Sequence, residues 1–223
     1  MKTINIAIDG PAGAGKSSIA KRCAKELGFI YVDTGALYRS VALFAIRNDV
    51  LTNDEAAVLA LLQNVNVELK FVDNVQKVYL NGEDVSEAIR QNEVSMGASN
   101  VSAIPKVREF LFNLQRRIAM TNNVIMDGRD IGTVVLPDAD LKIFMTASPE
   151  IRAKRRYLEL EHKPDCPSFE ALLAEIIQRD YNDSHRETAP LKQADDAVLL
   201  DTSELDFEQS VQKVIELIKS VEE

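Results

Sequence analysis

The stretch IDGPAGAGKSSIAK, residues 8–21, leaves a chain few folds to choose from. It follows the short apolar run INIAI (4–8), which reads as a buried strand. It leads into a segment whose Ile19, Ala20, Cys23, Ala24 and Leu27 recur at helical spacing until Gly28 stops them. Between the two, Gly10-Pro11-Ala12-Gly13-Ala14-Gly15-Lys16-Ser17, with Ser18 behind it, fits G-x-x-x-x-G-K-[ST] in the strand–loop–helix setting that gives the pattern its meaning. Glycine lets a backbone wrap closely around phosphate oxygens, and the loop amides and helix N-terminus supply positive potential. Lys16 is expected to reach the β/γ-phosphates of a nucleoside triphosphate, and Ser17 to ligate Mg²⁺.

The same rhythm of apolar run and helical pattern returns along the chain. FIYV (29–32), VIM (124–126), LKIFMTA (141–147) and AVLL (197–200) read as further strands. Helices are expected over about 36–47, where Leu37, Val41 and Phe44 face inward, and over about 149–161, 169–185 and 206–221, with Ser148-Pro149 a good start for the first of these three. TNDE (52–55) reads as a capping box opening another helix. Ser86 and Pro105 mark two more starts, and Val107, Phe110, Leu111, Leu114 and Ile118 share a face of the second. Only the middle differs. VNVELKF (65–71) alternates with period two, and KVYL (77–80) followed by Asn81-Gly82 and EDV signals a hairpin. The expected fold class is α/β: a doubly wound five-stranded parallel sheet with a small antiparallel β insert, and ligands at the carboxyl ends of the strands. The division expected is a core of residues 1–63 and 105–223, with an insert over 64–104.

Composition narrows the partners. The chain has 223 residues, with 26 Lys+Arg against 35 Asp+Glu and a net charge of −9. That balance argues against nucleic acid and anionic membranes, which call for a basic footprint, but not against a small anion in a local basic pocket. Cys23 and Cys166 have no metal-ligand spacing, which suits a reducing compartment. The start MKTINIAIDG has too short an apolar run for a signal peptide, and no apolar stretch approaches the ~18 residues of a membrane span. A cytoplasmic monomer is expected.

A phosphate-binding loop serves switches, motors and transferases alike. The Asn-Lys-x-Asp of a guanine-reading switch is absent, and the chain is short for a motor. A kinase needs a second anion site. Three segments supply candidates: YVDTGALYRS (31–40) with Thr34, Gly35 and Arg39; MDGRDIGT (126–133) with Asp127, Arg129 and Asp130; and QRDYNDSHRETAPL (178–191) with Arg179, Asp183 and Arg186 spaced by four and three. Each alone is ambiguous, because Arg–Asp sets at helical spacing are commonly solvated ion pairs. Their joint placement at strand ends points to a site.

With these residues in view, the chain resembles the bacterial cytidylate kinases, within the nucleoside monophosphate kinase family. IAIDGPAGAGKSS, YVDTGALYR, VREFLFNLQR, DGRDIGTVV with PDADLKIFMTA, and RDYNDSHRETAPL carry the resemblance in order over nearly the whole chain. The insert at 65–85 resembles the extended monophosphate-binding region of that family.

The resemblance implies Mg²⁺-dependent phosphoryl transfer from ATP to CMP or dCMP, giving ADP and CDP or dCDP. It implies Lys16, Arg129 and Arg186 as the catalytic set, with ATP held by residues 10–18 (Gly10, Pro11, Ala12, Gly13, Ala14, Gly15, Lys16, Ser17 and Ser18). Arg39, Arg129 and Arg186 are implied for the CMP phosphate and the transferred group, Thr34, Arg108 and Asp130 near the cytosine, and Ser99, Arg179 and Asp183 near the pentose. Ser17 is the implied metal ligand. Asp127 either holds a magnesium-bound water or caps a helix. A helical lid is expected over about 152–168, where Arg152, Arg155 and Arg156 either touch adenine or ATP phosphates or form a solvated face. Arg155 and Arg156 are the ATP candidates among them. His162 and His185 are assigned no chemistry. The rival readings are another small kinase with UMP, dTMP or shikimate as acceptor, and a nucleotide-gated switch with no acceptor.

Overall fold

The structure, a computed structural model, describes residues 3–72, 75–162 and 166–222. In chain order the elements are β1 (Asn5–Asp9), α1 (Lys16–Leu27), β2 (Ile30–Asp33), α2 (Thr34–Arg47), α3 (Glu55–Leu62), β3 (Val67–Val72), β4 (Val75–Leu80), β5 (Glu83–Asp84), α4 (Asn92–Ala103), α5 (Pro105–Thr121), β6 (Val124–Gly128), β7 (Leu141–Thr146), α6 (Pro149–Leu160), α7 (Phe169–His185), β8 (Val198–Asp201) and α8 (Phe207–Glu222). A 3₁₀ turn (Ala88–Arg90) precedes α4, and a π-helical turn (Ile131–Val135) follows β6.

The five expected strands form one parallel sheet in the order β2-β6-β1-β7-β8. β1 lies at its centre, with Ile8 opposite Asp127 on one side and Ile143 on the other. A strand covered by helices on both faces has no polar face, which is why IAI (6–8) and VIM (124–126) are apolar without alternation. Ile6, Ile8, Ile125, Ile143 and Met145 are fully buried, each such side chain contributing about 1.5–3 kcal/mol relative to exposure. One face packs on α1 and α8 through Ile19, Cys23, Val214 and Ile218, and the other meets α5 and the π-helical turn through Ala119, Ile131 and Val135.

The insert is a separate antiparallel sheet, β3-β4-β5. Asn81 and Gly82 join β4 to β5 with φ of 49° and 87°, the left-handed pair a two-residue hairpin turn requires. Its Val67, Val78, Leu80 and Val85 share one apolar cluster with α2, α4 and α5, so the insert is packed on the helices rather than tethered to them.

Several local expectations need correction. The capping residue of α3 is Asp54, whose carboxylate accepts from the Ala57 amide; Thr52 instead accepts from Asn100. Ser86 starts no helix: its hydroxyl accepts from the Val78 amide and donates to Asp84, closing the insert. Phe110 is exposed although Val107 and Leu111 of the same face are buried, and Phe44 is half-buried against the cluster that holds Leu37 and Val41. Asp127 lies within β6, not beyond it. Of the segment read as a lid, residues 163–165 lie outside the described residues; α6 ends at Leu160, and Ser168 caps α7 by accepting from the Ala171 amide.

Candidate active site

A cavity of about 600 Å³ opens at the carboxyl ends of β1, β2 and β6. The phosphate loop forms one end. Gly10, at φ 147°, is where the chain leaves β1 against β7; a Cβ there would stand 1.9 Å from the Met145 carbonyl oxygen. Gly15, left-handed at φ 88°, turns the loop into α1. Gly13, Gly15, Lys16, Ser17 and Ser18 line the cavity along with Ala12, whereas Gly10, Pro11 and Ala14 are buried beneath it. The Lys16 ammonium donates to the Pro11 carbonyl at 2.7 Å. Burial, then the Arg129 charge, hold its pKa well below the ordinary amine range. A phosphate arriving there would meet a desolvated cation whose hydrogen bond goes to a backbone carbonyl.

Ser17 and Asp127 meet across the loop. The Ser17 hydroxyl donates to Asp127 Oδ2 at 2.7 Å, and the Tyr31 hydroxyl to Oδ1 at 3.0 Å. Burial and the nearby Asp33 charge raise the Asp127 pKa. These hard oxygen donors suit magnesium, which binds through one or two protein groups together with substrate phosphates. Among the described residues no cluster of three or more His, Cys, Asp or Glu could cage a metal alone. Asp127 therefore fits the magnesium alternative, and it caps no helix; the cap of α2 is Asp33, which accepts from the Ala36 amide.

The other end of the cavity is built from arginines. Arg39, Arg108, Arg129, Arg179 and Arg186 line it with Thr34, Ser99, Ser102, Asp33, Asp130 and Asp183. Five guanidinium groups face three carboxylates, an excess of two positive charges inside an acidic chain. Arg39 pairs with Asp33 at 2.6 Å and Arg129 with Asp183 at 2.8 Å. Arg108 grips one oxygen of Asp130 while Arg186 stands 3.6 Å from the other. Arg186 also reaches the Ser102 hydroxyl at 3.2 Å, and the Tyr38 ring packs on Arg108. The Thr34 hydroxyl donates to the Asp127 carbonyl, joining the start of α2 to β6.

The cluster is incompletely satisfied. Arg39 Nε, Arg179 Nε and Arg186 Nη2 are buried without a hydrogen-bond acceptor. Burial, then Arg129, lowers the Arg179 pKa; burial, then Arg108, does the same at Arg186. Burial raises Asp130 despite its arginines. At Asp183 burial pushes upward too, but Arg129, Arg179 and Arg186 outweigh it and the net shift is down. Buried guanidinium nitrogens without acceptors are expensive, and an anion would complete them.

Of the lid arginines, Arg155 lines the cavity while its guanidinium donates to the Thr202 hydroxyl and carbonyl. Arg156 does not line it; it pairs with Glu159 and Asn92 on the surface. Arg152 is neither a solvated face nor a cavity residue. It is buried, donates to the Ala12 and Ala147 carbonyls, and holds Asp180 with both terminal nitrogens. Sequence reasoning also passed over Asp9, which holds the turn after β6, and over Asp33, Tyr38, Leu205, Asp206, Phe207 and Ser210, which line the cavity. For Asp9 a signal existed: a carboxylate ending an otherwise apolar strand.

A family model described as cytidylate kinase matches residues 6–220. A curated cytidylate kinase of Caldicellulosiruptor bescii is 53% identical over 221 residues, 99% of this chain and 98% of that protein. One from Streptococcus equi subsp. equi is 51% identical over 222 residues, with 99% and 98% covered. Among solved structures, an uncharacterised protein from Eubacterium ventriosum superposes with a TM-score of 0.54 at 14% identity, covering 98% of this chain and 99% of that one, a likeness of fold alone. With a family match over nearly its whole length and relatives above half identity, the chain belongs to the cytidylate kinase family.

Proposed function

We propose that this protein transfers the γ-phosphoryl group of ATP to CMP or dCMP, giving ADP and CDP or dCDP. The observation that carries the reading is the juxtaposition, in one cavity, of the phosphate loop with an arginine cluster whose buried nitrogens lack acceptors. ATP belongs at the loop end, on the amides of residues 13–18 and Lys16; the acceptor belongs at the arginine end. An oxygen of the CMP phosphate attacks the γ-phosphorus as its bond to the β–γ bridging oxygen breaks, and ADP leaves with that oxygen. Such a transfer asks the protein for alignment, charge stabilisation and exclusion of water rather than for a covalent nucleophile.

Lys16, Arg129 and Arg186 supply charge to the moving group and its neighbours, and Arg39 and Arg129 hold the acceptor phosphate. Magnesium would be held through Ser17, with Asp127 behind it, and when bound would neutralise charge on the β- and γ-phosphates. Asp130 and Arg108 read the base. Cytosine offers an N4 donor and an N3 acceptor, which match a carboxylate and a guanidinium; uracil reverses both. Ser99, Arg179 and Asp183 face the pentose. The insert, residues 64–104, serves as the acceptor-side unit and about 152–168 as a lid that keeps water from the reacting phosphoryl group. A cytoplasmic monomer working in pyrimidine nucleotide metabolism completes the reading.

The deciding experiment follows ADP release with ATP alone and with CMP, dCMP, UMP, dTMP or shikimate added. Turnover that needs CMP or dCMP is expected. Turnover indifferent to every acceptor would mean a switch, and preference for another acceptor would move the base assignment.

A further inference from the structure

Asp9 ends the central strand β1, directly before Gly10, and has no part in the reaction described above. Its side chain is buried, yet it is aimed at backbone rather than at a cation. Oδ1 accepts from the Ile131 amide at 2.8 Å and Oδ2 from the Gly132 amide at 2.7 Å. These are the opening amides of the π-helical turn, and the residues just before them are Arg129 and Asp130. Gly132 is fitted to this arrangement: a Cβ there would stand 3.0 Å from Lys142 Cδ and 3.4 Å from Asp9 Oδ2. The turn is pressed between a lysine stem on β7 and a carboxylate on β1.

We propose that Asp9 is the positioning residue that sets Arg129 and Asp130 against the phosphate loop. Asp9 and Gly10 are adjacent, so the strand that launches the loop also fixes the segment that reads the acceptor. A displacement of a reacting group by about 1 Å can cost ~100-fold in rate, so a shared anchor at this point has kinetic value. The carboxylate suits the task because, ionised, it only accepts, and both facing groups are donors. Burial raises its pKa to about 6; the two amides and Lys16 oppose that rise and Asp130 adds to it, while the Lys142 ammonium on β7 is turned away to Asp196.

The inference rests on the proposed reading of Asp130, and Asp9→Asn is compared with Asp130→Ala so that the two can fail separately. In the Asn variant an NH₂ group faces an amide N–H, donor against donor, and the turn must move. Expected is a fall of about 10- to 100-fold in kcat/KM for CMP, a shrunken CMP/UMP ratio, and a KM for ATP within about twofold of the parent. If Asp130→Ala collapses the CMP/UMP ratio while Asp9→Asn leaves it intact, or lowers ATP and CMP parameters by one factor, Asp9 is not the positioning residue. If Asp130→Ala itself leaves the ratio intact, the base reading fails instead.

Should Asp9→Asn not fold, the unaltered protein decides. The Ile131 and Gly132 amide resonances should titrate together near pH 6, and the CMP/UMP ratio should fall with them as pH drops. The phosphate ionisation common to both substrates cancels in that ratio. A ratio flat across that titration, or amides that do not titrate with it, would overturn the proposal.

Discussion

The two ends of the cavity do comparable work with different materials. At the loop end Gly13, Gly15, Lys16, Ser17 and Ser18 come from one short stretch, and most of what they present is backbone. At the arginine end Thr34, Arg39, Ser99, Arg108, Asp130, Arg179, Asp183 and Arg186 come from α2, α4, α5, the segment after β6, and α7 with the residue that follows it, and what they present is side chain. Backbone amides are fixed by the fold of a single turn. Guanidinium groups must be aimed one by one, and Asp33, Asp130 and Asp183 do the aiming. The loop end is generic to nucleoside triphosphates, and the arginine end is where choice of acceptor can be written.

If that contrast holds, the largest effect belongs to the one side chain the loop end depends on. Lys16→Ala should lower kcat by about 10²–10³, the usual loss for a preorganised charge-stabilising group, while the melting temperature stays near that of the parent. Relief of a desolvated ammonium is set against loss of its attraction to Asp127 and Asp9, so the net change in stability is expected to be small. A folded variant with parental kcat would end the assignment of the loop.

Arg152 tests whether the two ends are independent. It holds the Ala12 carbonyl of the loop and Asp180 of α7, the helix carrying Arg179 and Asp183. Breaking a buried ion pair costs about 3–5 kcal/mol; Asp180 keeps a quarter of its side chain exposed, so the lower end is expected for Arg152→Ala. Chemical denaturation measures that loss. KM for ATP and for CMP should rise together, because one link positions both ends. A rise in one alone would show that the ends are aimed separately.

Asp130→Ala should slow both substrates by loosening Arg108 and Arg186, and slow CMP further by a loss of its own. Removing the carboxylate takes away the acceptor for the cytosine amino group, a loss of about 1–3 kcal/mol, or roughly 5- to 150-fold, that uracil does not share. Competition between CMP and UMP should show the ratio of kcat/KM values moving toward one. Equal loss for both substrates would mean that Asp130 only holds Arg108 and Arg186.

The same contrast explains what could be read in the chain before its structure. The loop and the helix it launches were legible because their signals are local: α1 runs from Lys16 to Leu27, as the spacing and Gly28 required, and α7 spans Phe169–His185 as expected. The five parallel strands were legible from short, mostly apolar runs, although Asn5 and Lys142 interrupt two of them. The arginines could be named but not aimed, since the partner of Arg129 lies 54 residues away and that of Arg108 lies 22 away. Asp9 and Arg152 act through backbone groups more than 100 residues distant, and no periodicity encodes such a bond. Thr52 failed as a cap for a different reason: Asp54 offered the same chemistry two residues later, and the Thr52 hydroxyl accepts from Asn100 instead.

Arg155 and Arg156 give the smallest effect and the finest division. They are neighbours on α6 with the same charge, but their surroundings separate them. Arg155 lines the cavity, as Leu205 and Phe207 do, and is held by Thr202. Arg156 faces outward in an i,i+3 pair with Glu159, and exposed pairs of that kind contribute about 0–1 kcal/mol. Arg155→Ala should therefore raise KM for ATP several-fold, by about the net 0.5–1.5 kcal/mol, roughly 2- to 12-fold, of an ordinary hydrogen bond. Arg156→Ala should change KM for ATP by less than about twofold and stability by less than ~0.5 kcal/mol, as surface substitutions usually do. Steady-state titration of ATP at saturating CMP separates the two. Should both variants lose ATP affinity alike, the end of α6 must turn when nucleotide binds, carrying Arg156 away from Glu159 and Asn92 and into the cavity. The loop end would then be completed by side chains brought in on closure, and the contrast between a backbone-built end and a side-chain-built end would hold only for the open protein.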